Sequence, residues 1–241
     1  MRAFVPLLTG EIQRLARYKV WGASVLVSLI WVLTLYLADV ADVSPIFVVL
    51  LFFDATLMSM LLVGVTMFFE KQEGTIKSLL VSPIERREYV GAKTLGNSLL
   101  NVQTLVILYA YAWAFRAIDL NVGVLLAAVI VVGFFHALLG FVLMYRSRDF
   151  TDLLTGVLVY SFVLTIPVVL DQVGLIQHRV LEGLMYLLPT KASMTLISAA
   201  SESFPAWEMV YAAGYLLVGS GVLFFWVLKG FDAFAVRESG A

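Results

Sequence analysis

A chain of 241 residues that is 61% hydrophobic and only 14% charged, with a mean hydropathy of +0.96, carries more apolar side chain than a water-soluble domain can bury. It has no cysteine, which excludes a disulfide framework, a thiolate metal site and a cysteine nucleophile. The formal net charge of −1 is uninformative as a sum, but the distribution of charge along the chain is not.

Residues 1–19 place Phe4, Leu8, Ile12 and Leu15 at helical spacing, with Glu11, Arg14 and Arg17 turned elsewhere. That pattern predicts a helix lying in the membrane interface, with Tyr18 and Trp21 at headgroup level. Six runs long enough to cross a ~30 Å hydrocarbon core follow. They are Val20–Ala38, Ile46–Phe69, Leu95–Phe115, Leu120–Tyr145, Leu153–Leu170 and Met209–Leu228. The period-2 alternation of a barrel strand is absent. The expected fold class is therefore an all-α integral membrane protein, built as a single transmembrane domain. The first run follows a long basic lead and has no small-x-small site after it, so it reads as a span and not as a cleaved signal peptide.

Lysines and arginines sort strongly by side. Arg2, Arg14, Arg17, Lys19, Lys71, Lys77, Arg86, Arg87, Lys93, Arg146, Arg148, Lys229 and Arg237 fall on one side, against Arg116, Arg179 and Lys191 on the other. Positive charge accumulates inside, which predicts cytoplasmic termini. Ser44-Pro45 reads as a cap and a first-turn proline opening the second span. Short connections at 39–45 and 116–119 make spans one and two, and three and four, antiparallel neighbours. Gly133, Ala137 and Gly140 give span four a small-residue face for close helix approach, and Gly214, Gly219 and Gly221 offer the same in span six.

Residues 171–207 form a long external connection that is half apolar, with Leu175, Ile176, Val180, Leu181, Leu184, Met185, Leu187 and Leu188. Pro189 divides it into two short helices, the second capped by Thr190 and running through Ser198. A re-entrant segment dipping into the outer leaflet and an amphipathic segment lying flat on the surface both fit this pattern.

The one densely charged stretch lies between spans two and three. A helix running through Glu70-Lys71-Gln72-Glu73 meets Gly74, a natural stop, after which Thr75 caps a short helix over 76–81. Ile76, Leu79 and Leu80 share one small apolar face. Ser82-Pro83-Ile84-Glu85 fits a capping box with proline at the first helical position, predicting a new helix from Pro83 through Lys93. This is a rigid elbow. It presents an apolar face flanked by both charge signs, either to a partner's groove or to its own membrane domain.

The run Glu70-Lys-Gln-Glu-Gly-Thr-Ile, then Leu79-Leu-Val-Ser-Pro-Ile, then Glu88-Tyr-Val-Gly-Ala-Lys93 resembles the signature of type 2 permeases of ATP-binding-cassette transporters. Size, six spans, lead helix and the long connection before the last span fit the same family. The resemblance implies a type V exporter fold, similar to the small drug-export permeases. It also implies a partner cytosolic ATPase subunit that carries ATP and Mg, and a second permease copy or a sister permease. Glu70, Lys71, Glu73, Gly74, Thr75, Ile76, Leu79, Leu80, Ser82 and Pro83 would form the ATPase-coupling interface, and residues 1–19 the connecting helix. The setting it implies is the plasma (inner) membrane of a prokaryote, among membrane lipid and without nucleic acid. The chain itself has no G-x-x-x-x-G-K-[ST] run and no soluble segment able to house a nucleotide domain, so no bound cofactor is expected and it is not read as an enzyme.

Asp54 lies within span two, where a carboxylate must face protein or water. It reads either as a group lining a cavity or as a structural hydrogen-bonding aspartate. His136 in span four sits about 12 Å deeper by helical rise, too far for direct pairing. An ion-gradient-driven transporter using Asp54 and His136 is the alternative to ATP coupling. Asn97, Ser98, Asn101, Gln103 and Thr104 make the start of span three polar, bonding neighbouring helices or lining a vestibule. By the resemblance, spans two and five border the translocation path, which makes Thr56, Met58, Phe162 and Thr165 candidates beside Asp54. Aromatic and methionine lining suits an amphipathic, drug-like or lipidic substrate. Pro167 is expected to bend span five.

Overall fold

The computed structural model describes residues 4–38, 40, 42–80, 82, 84–116 and 118–239. Helix α1 (Phe4–Arg17) is the amphipathic lead, followed by α2 (Val20–Leu37). Span two comprises α3 (Ser44–Phe53), a π-helical turn (Asp54–Met58) and α4 (Ser59–Gln72). The elbow helix α5 (Thr75–Leu80) leads to α6 (Arg86–Phe115) and α7 (Val122–Arg146). Span five joins α8 (Phe150–Tyr160), a second π turn (Ser161–Thr165) and α9 (Ile166–Gln172). Then come α10 (Arg179–Met185), α11 (Pro189–Ser198) and α12 (Ala206–Ser239). Six of these units are long and apolar enough to cross a membrane, and the protein is an all-α membrane protein.

Helix α7 is the hub, packed against α4, α6, α12 and α11. Its small residues explain why. A Cβ on Gly140 would stand 2.7 Å from the Met60 carbonyl oxygen, and one on Gly133 would stand 2.0 Å from Asn101 Nδ2. Backbone meets backbone at the α4–α7 crossing as the small-residue face predicts. In α12 the expectation holds only for Gly219, which Phe135 approaches; nothing comes within 4 Å of a Cβ on Gly214 or Gly221. Helix α2 lies mainly along α6 and touches α3 less, so its sequence neighbour is not its main packing partner. Ser28 and Thr104 hydroxyls, 3.0 Å apart, tie α2 to α6. At the far end of α2, the Arg116 guanidinium donates to the carbonyls of Leu35, Tyr36 and Ala38, occupying acceptors that a helix C-terminus leaves open.

Helix α3 starts at Ser44 itself with Val43 in the cap position, and the Asp42 carboxylate just before it accepts from the Ser44 amide at 2.9 Å. The segment between spans five and six holds two short helices that differ in burial. Helix α11 is buried among α3, α7 and α12, with Ala192, Ser193, Met194 and Ile197 sealed from solvent. Its ten residues span about 15 Å, half the thickness of a hydrocarbon core, so it is too short to cross a membrane. Helix α10 is less covered, exposing Val180, Leu181 and Leu184. Thr190 does not cap α11, because the helix begins at Pro189. The Thr190 hydroxyl instead donates to the Leu164 carbonyl, in the stretch where the π turn and Pro167 interrupt the helical ladder.

Candidate functional site

The elbow begins where α4 outruns the apolar part of span two. Gly74 adopts φ +70°, the left-handed conformation that ends a helix at little cost for glycine. Helix α5 then turns back and seats Ile76 beside Tyr89, Phe231 and Phe234. The return differs from expectation. The Ser82 hydroxyl accepts from the Ile84 amide two residues on, and α6 starts at Arg86 with Glu85 in the cap position. The capping box therefore does not form; Pro83 itself lies outside the described residues.

Beneath the elbow three helices share one buried ionic cluster. Glu70 on α4 accepts from the Tyr89 hydroxyl at 2.6 Å and from Lys93 Nζ at 3.0 Å, both on α6. Arg14 Nε on α1 lies 3.3 Å from the same carboxylate. Lys93 also donates to Glu11 Oε1 at 2.9 Å and to Thr66 at 3.3 Å, and Arg14 closes the ring onto Glu11 at 2.8 Å. Glu11, Glu70 and Lys93 are 1%, 0% and 1% exposed. Two carboxylates thus meet two cations, the condition under which buried charge is tolerated. Burial opposes ionisation of Glu11, but Lys93 and Arg14 outweigh it and hold the carboxyl below the ordinary glutamate range. At the rim, Tyr18 donates to Glu73 at 2.7 Å and Arg17 lies 3.4 Å from it. Burial and that bond push the Tyr18 phenol up.

This geometry re-sorts the residues assigned to an outward coupling surface. Glu70 and Ile76 face inward, because the lead helix covers the first and α12 the second. Lys71 is half-buried and donates to the Arg148 carbonyl at 3.3 Å. Gln72, Glu73 and Ser78 are exposed, while Gly74, Thr75 and Ser82 are half-buried. The side chains of Leu79 and Leu80 lie outside the described residues. Sequence reasoning missed the pairing of Glu11, Arg14, Thr66, Tyr89 and Lys93. The available signal was an acid and a base set one turn apart in a lead helix that must somewhere meet opposite charge.

The five intramembrane path candidates occupy the two π turns: Asp54, Thr56 and Met58 in the first, Phe162 and Thr165 in the second. Such turns hold an extra residue per turn and recur at functional sites. Asp54 is buried, with the Thr104 hydroxyl and Trp31 indole facing its carboxyl group. Trp31 Nε1 closes no hydrogen bond of good geometry among the described residues. The Thr56 hydroxyl donates to the Phe52 carbonyl at 2.6 Å, and Thr165 is buried. Met58 is half-buried and Phe162 is 65% exposed, so these two reach the surface of the chain.

His136 is engaged elsewhere than with Asp54. Its Nδ1 lies 2.9 Å from the Val132 carbonyl and its Nε2 3.0 Å from the Tyr160 hydroxyl. A carbonyl only accepts, so Nδ1 carries the proton and, in the neutral ring, Nε2 receives the Tyr160 hydrogen. The polar start of span three mostly bonds between helices. Asn101 Nδ2 donates to Ser59 at 2.8 Å and Gln103 donates to Ser24 at 3.4 Å. The Asn97 amide is buried with neither polar atom bonded among the described residues.

Six helical units long and apolar enough to cross a membrane, α7 the most heavily packed of them and two broken by π turns, describe a multi-pass membrane protein. The comparisons give the family. A model of the fluoroquinolones export permease protein family matches residues 3–239, and the chain belongs to that family. It is 28% identical over 245 residues to the fluoroquinolones export permease proteins of two Mycobacterium tuberculosis strains, covering 100% of this chain and 99% of each relative.

Proposed function

We propose that this chain is the membrane-spanning subunit of an ATP-driven drug exporter, energised by a separate cassette-type ATPase that carries ATP and Mg. Two copies, or this chain and a sister permease, form the path, and the substrates are amphipathic molecules of the fluoroquinolone kind that name the relatives. The observation that carries the reading is the elbow over its ionic cluster. A load applied at Glu73 or Ser78 enters α4, α6 and α1 together, because Glu70, Lys93, Glu11 and Arg14 bind the three into one body. Thirteen of the sixteen lysines and arginines lie on the elbow side, which supports cytoplasmic termini in a prokaryotic plasma membrane.

The test uses Ser78→Trp, a bulky change on the exposed side of α5. The full chain is purified from its host in mild detergent, and ATP-dependent fluoroquinolone uptake is read in inverted vesicles. Wild type should bring down an ATPase and move drug only with ATP. Ser78→Trp should lose both while keeping the wild-type melting temperature. Transport by a chain that co-purifies alone in ATP-free vesicles would overturn the proposal and return Asp54 and His136 to the centre of the mechanism.

A further inference from the structure

The seam between α7 and α12 holds an apolar groove of about 470 Å³ lined by Ile130, Val131, Phe134, Leu217, Gly221 and Phe224. One helical turn closer to the elbow, a second concavity of about 510 Å³ brings Ile84, Glu85, Arg86, Arg87, Phe225, Leu228 and Lys229 together. Phe224 of the groove adjoins Phe225 of the pocket, and Leu228 lies one turn beyond it, so α12 runs as a common wall from apolar groove to basic pocket. Charge in the pocket does not cancel. Arg86 is paired with Asp232 at 2.6 Å and Arg87 with Glu85, but Lys229 has no carboxylate partner among the described residues. Its ammonium rests 4.5 Å from the Phe225 ring centroid, held at the pocket mouth.

An oily channel at hydrocarbon depth that ends in surplus positive charge at headgroup depth matches a two-part ligand: a hydrocarbon chain and an anionic head. We infer that this seam is a binding site for an anionic phospholipid, its acyl chain in the α7–α12 groove and its phosphate at Lys229, Arg86 and Arg87. A second copy of the chain seated here would bury the Lys229 charge opposite its own symmetric equivalent, which disfavours that occupant.

The test is native mass spectrometry of the full-length chain in detergent, with dioleoyl-phosphatidylglycerol or dioleoyl-phosphatidylcholine added at equal concentration. Wild type should retain phosphatidylglycerol preferentially. Lys229→Gln should weaken that retention about five-fold and leave phosphatidylcholine unchanged, the effect of one basic residue at an anionic headgroup. Gly221→Leu should weaken retention of both lipids by filling the groove. A Cβ there meets nothing within 4 Å, so the variant should keep wild-type helicity. Equal retention of the two lipids, or no effect of Lys229→Gln, would overturn the proposal. So would displacement of a subunit–subunit contact by Gly221→Leu, since it would assign the seam to a second copy.

Discussion

Lys93 Nζ lies 3.0 Å from Glu70 Oε1, and neither side chain is open to solvent. Their pairing holds the start of span three to the end of span two at the point where the elbow departs. Removing one member strands the other. Lys93→Met should therefore cost on the order of 3–5 kcal/mol, read as a fall in melting temperature in detergent. The double variant Lys93→Met with Glu11→Gln should recover part of the loss, because Arg14 remains beside Glu70. Additive losses would show that the cluster is not a coupled unit.

The same cluster sets an acid limit. Because the Glu11 carboxyl is held below its ordinary value of 4.5, its ionised form contributes stability above that value, and the contribution is lost as pH falls through the lower folded-state value. Melting temperature should drop on acidification below 4.5. Glu11→Gln should flatten that part of the profile, and an unchanged slope would refute the assignment.

Glycines in the spans should separate by environment. Gly140→Ala drives a Cβ against the Met60 backbone, which cannot yield as a side chain would, and should destabilise by about 1–3 kcal/mol. Gly214→Ala meets open space in a helix interior and should be neutral or stabilising by about 0.5–1 kcal/mol. Equal effects in thermal unfolding would contradict the packing described here.

Lys19 joins α1 to α2 with φ 59°, a left-handed conformation unfavourable for a side-chain-bearing residue. Lys19→Gly should relieve about 1 kcal/mol of backbone strain and raise the melting temperature slightly. A fall instead would mean that the lysine side chain contributes more than the strain removes.

Tyr160→Phe removes the hydroxyl that faces His136 Nε2 and leaves a buried ring nitrogen without its partner. The expected cost is about 1–3 kcal/mol in thermal unfolding. No change would show that the histidine finds water instead.

The spans were legible because hydropathy is a local property: each was bounded to within a few residues except at the start of α6, whose charged first turns read as a separate helix, and at the end of α12, which runs past Leu228 to Ser239. Gly74 was legible for the same reason, since a turn's demand on its residue is written at that residue. Glu70 was not. A glutamate just past an apolar run looks solvent-bound, and only contacts with Arg14 and Lys93, far away in sequence, turn it inward. The π turns were equally hidden. Asp54 and Thr56 stood out as polar residues in oil, yet composition does not mark the extra residue in the turn that carries them.

The order of synthesis gives the ionic cluster a further meaning. Glu11 and Arg14 leave the ribosome long before Lys93, which lies 82 residues downstream of Glu11. At about 5–20 residues per second that gap is about 4–16 s, during which Glu11 has only Arg14 of its own helix to pair with. Until span three is inserted, α1 has reason to stay hydrated at the membrane surface. The buried cluster is therefore completed only once the start of span three has been made, which puts the final seating of the lead helix after the synthesis of span two.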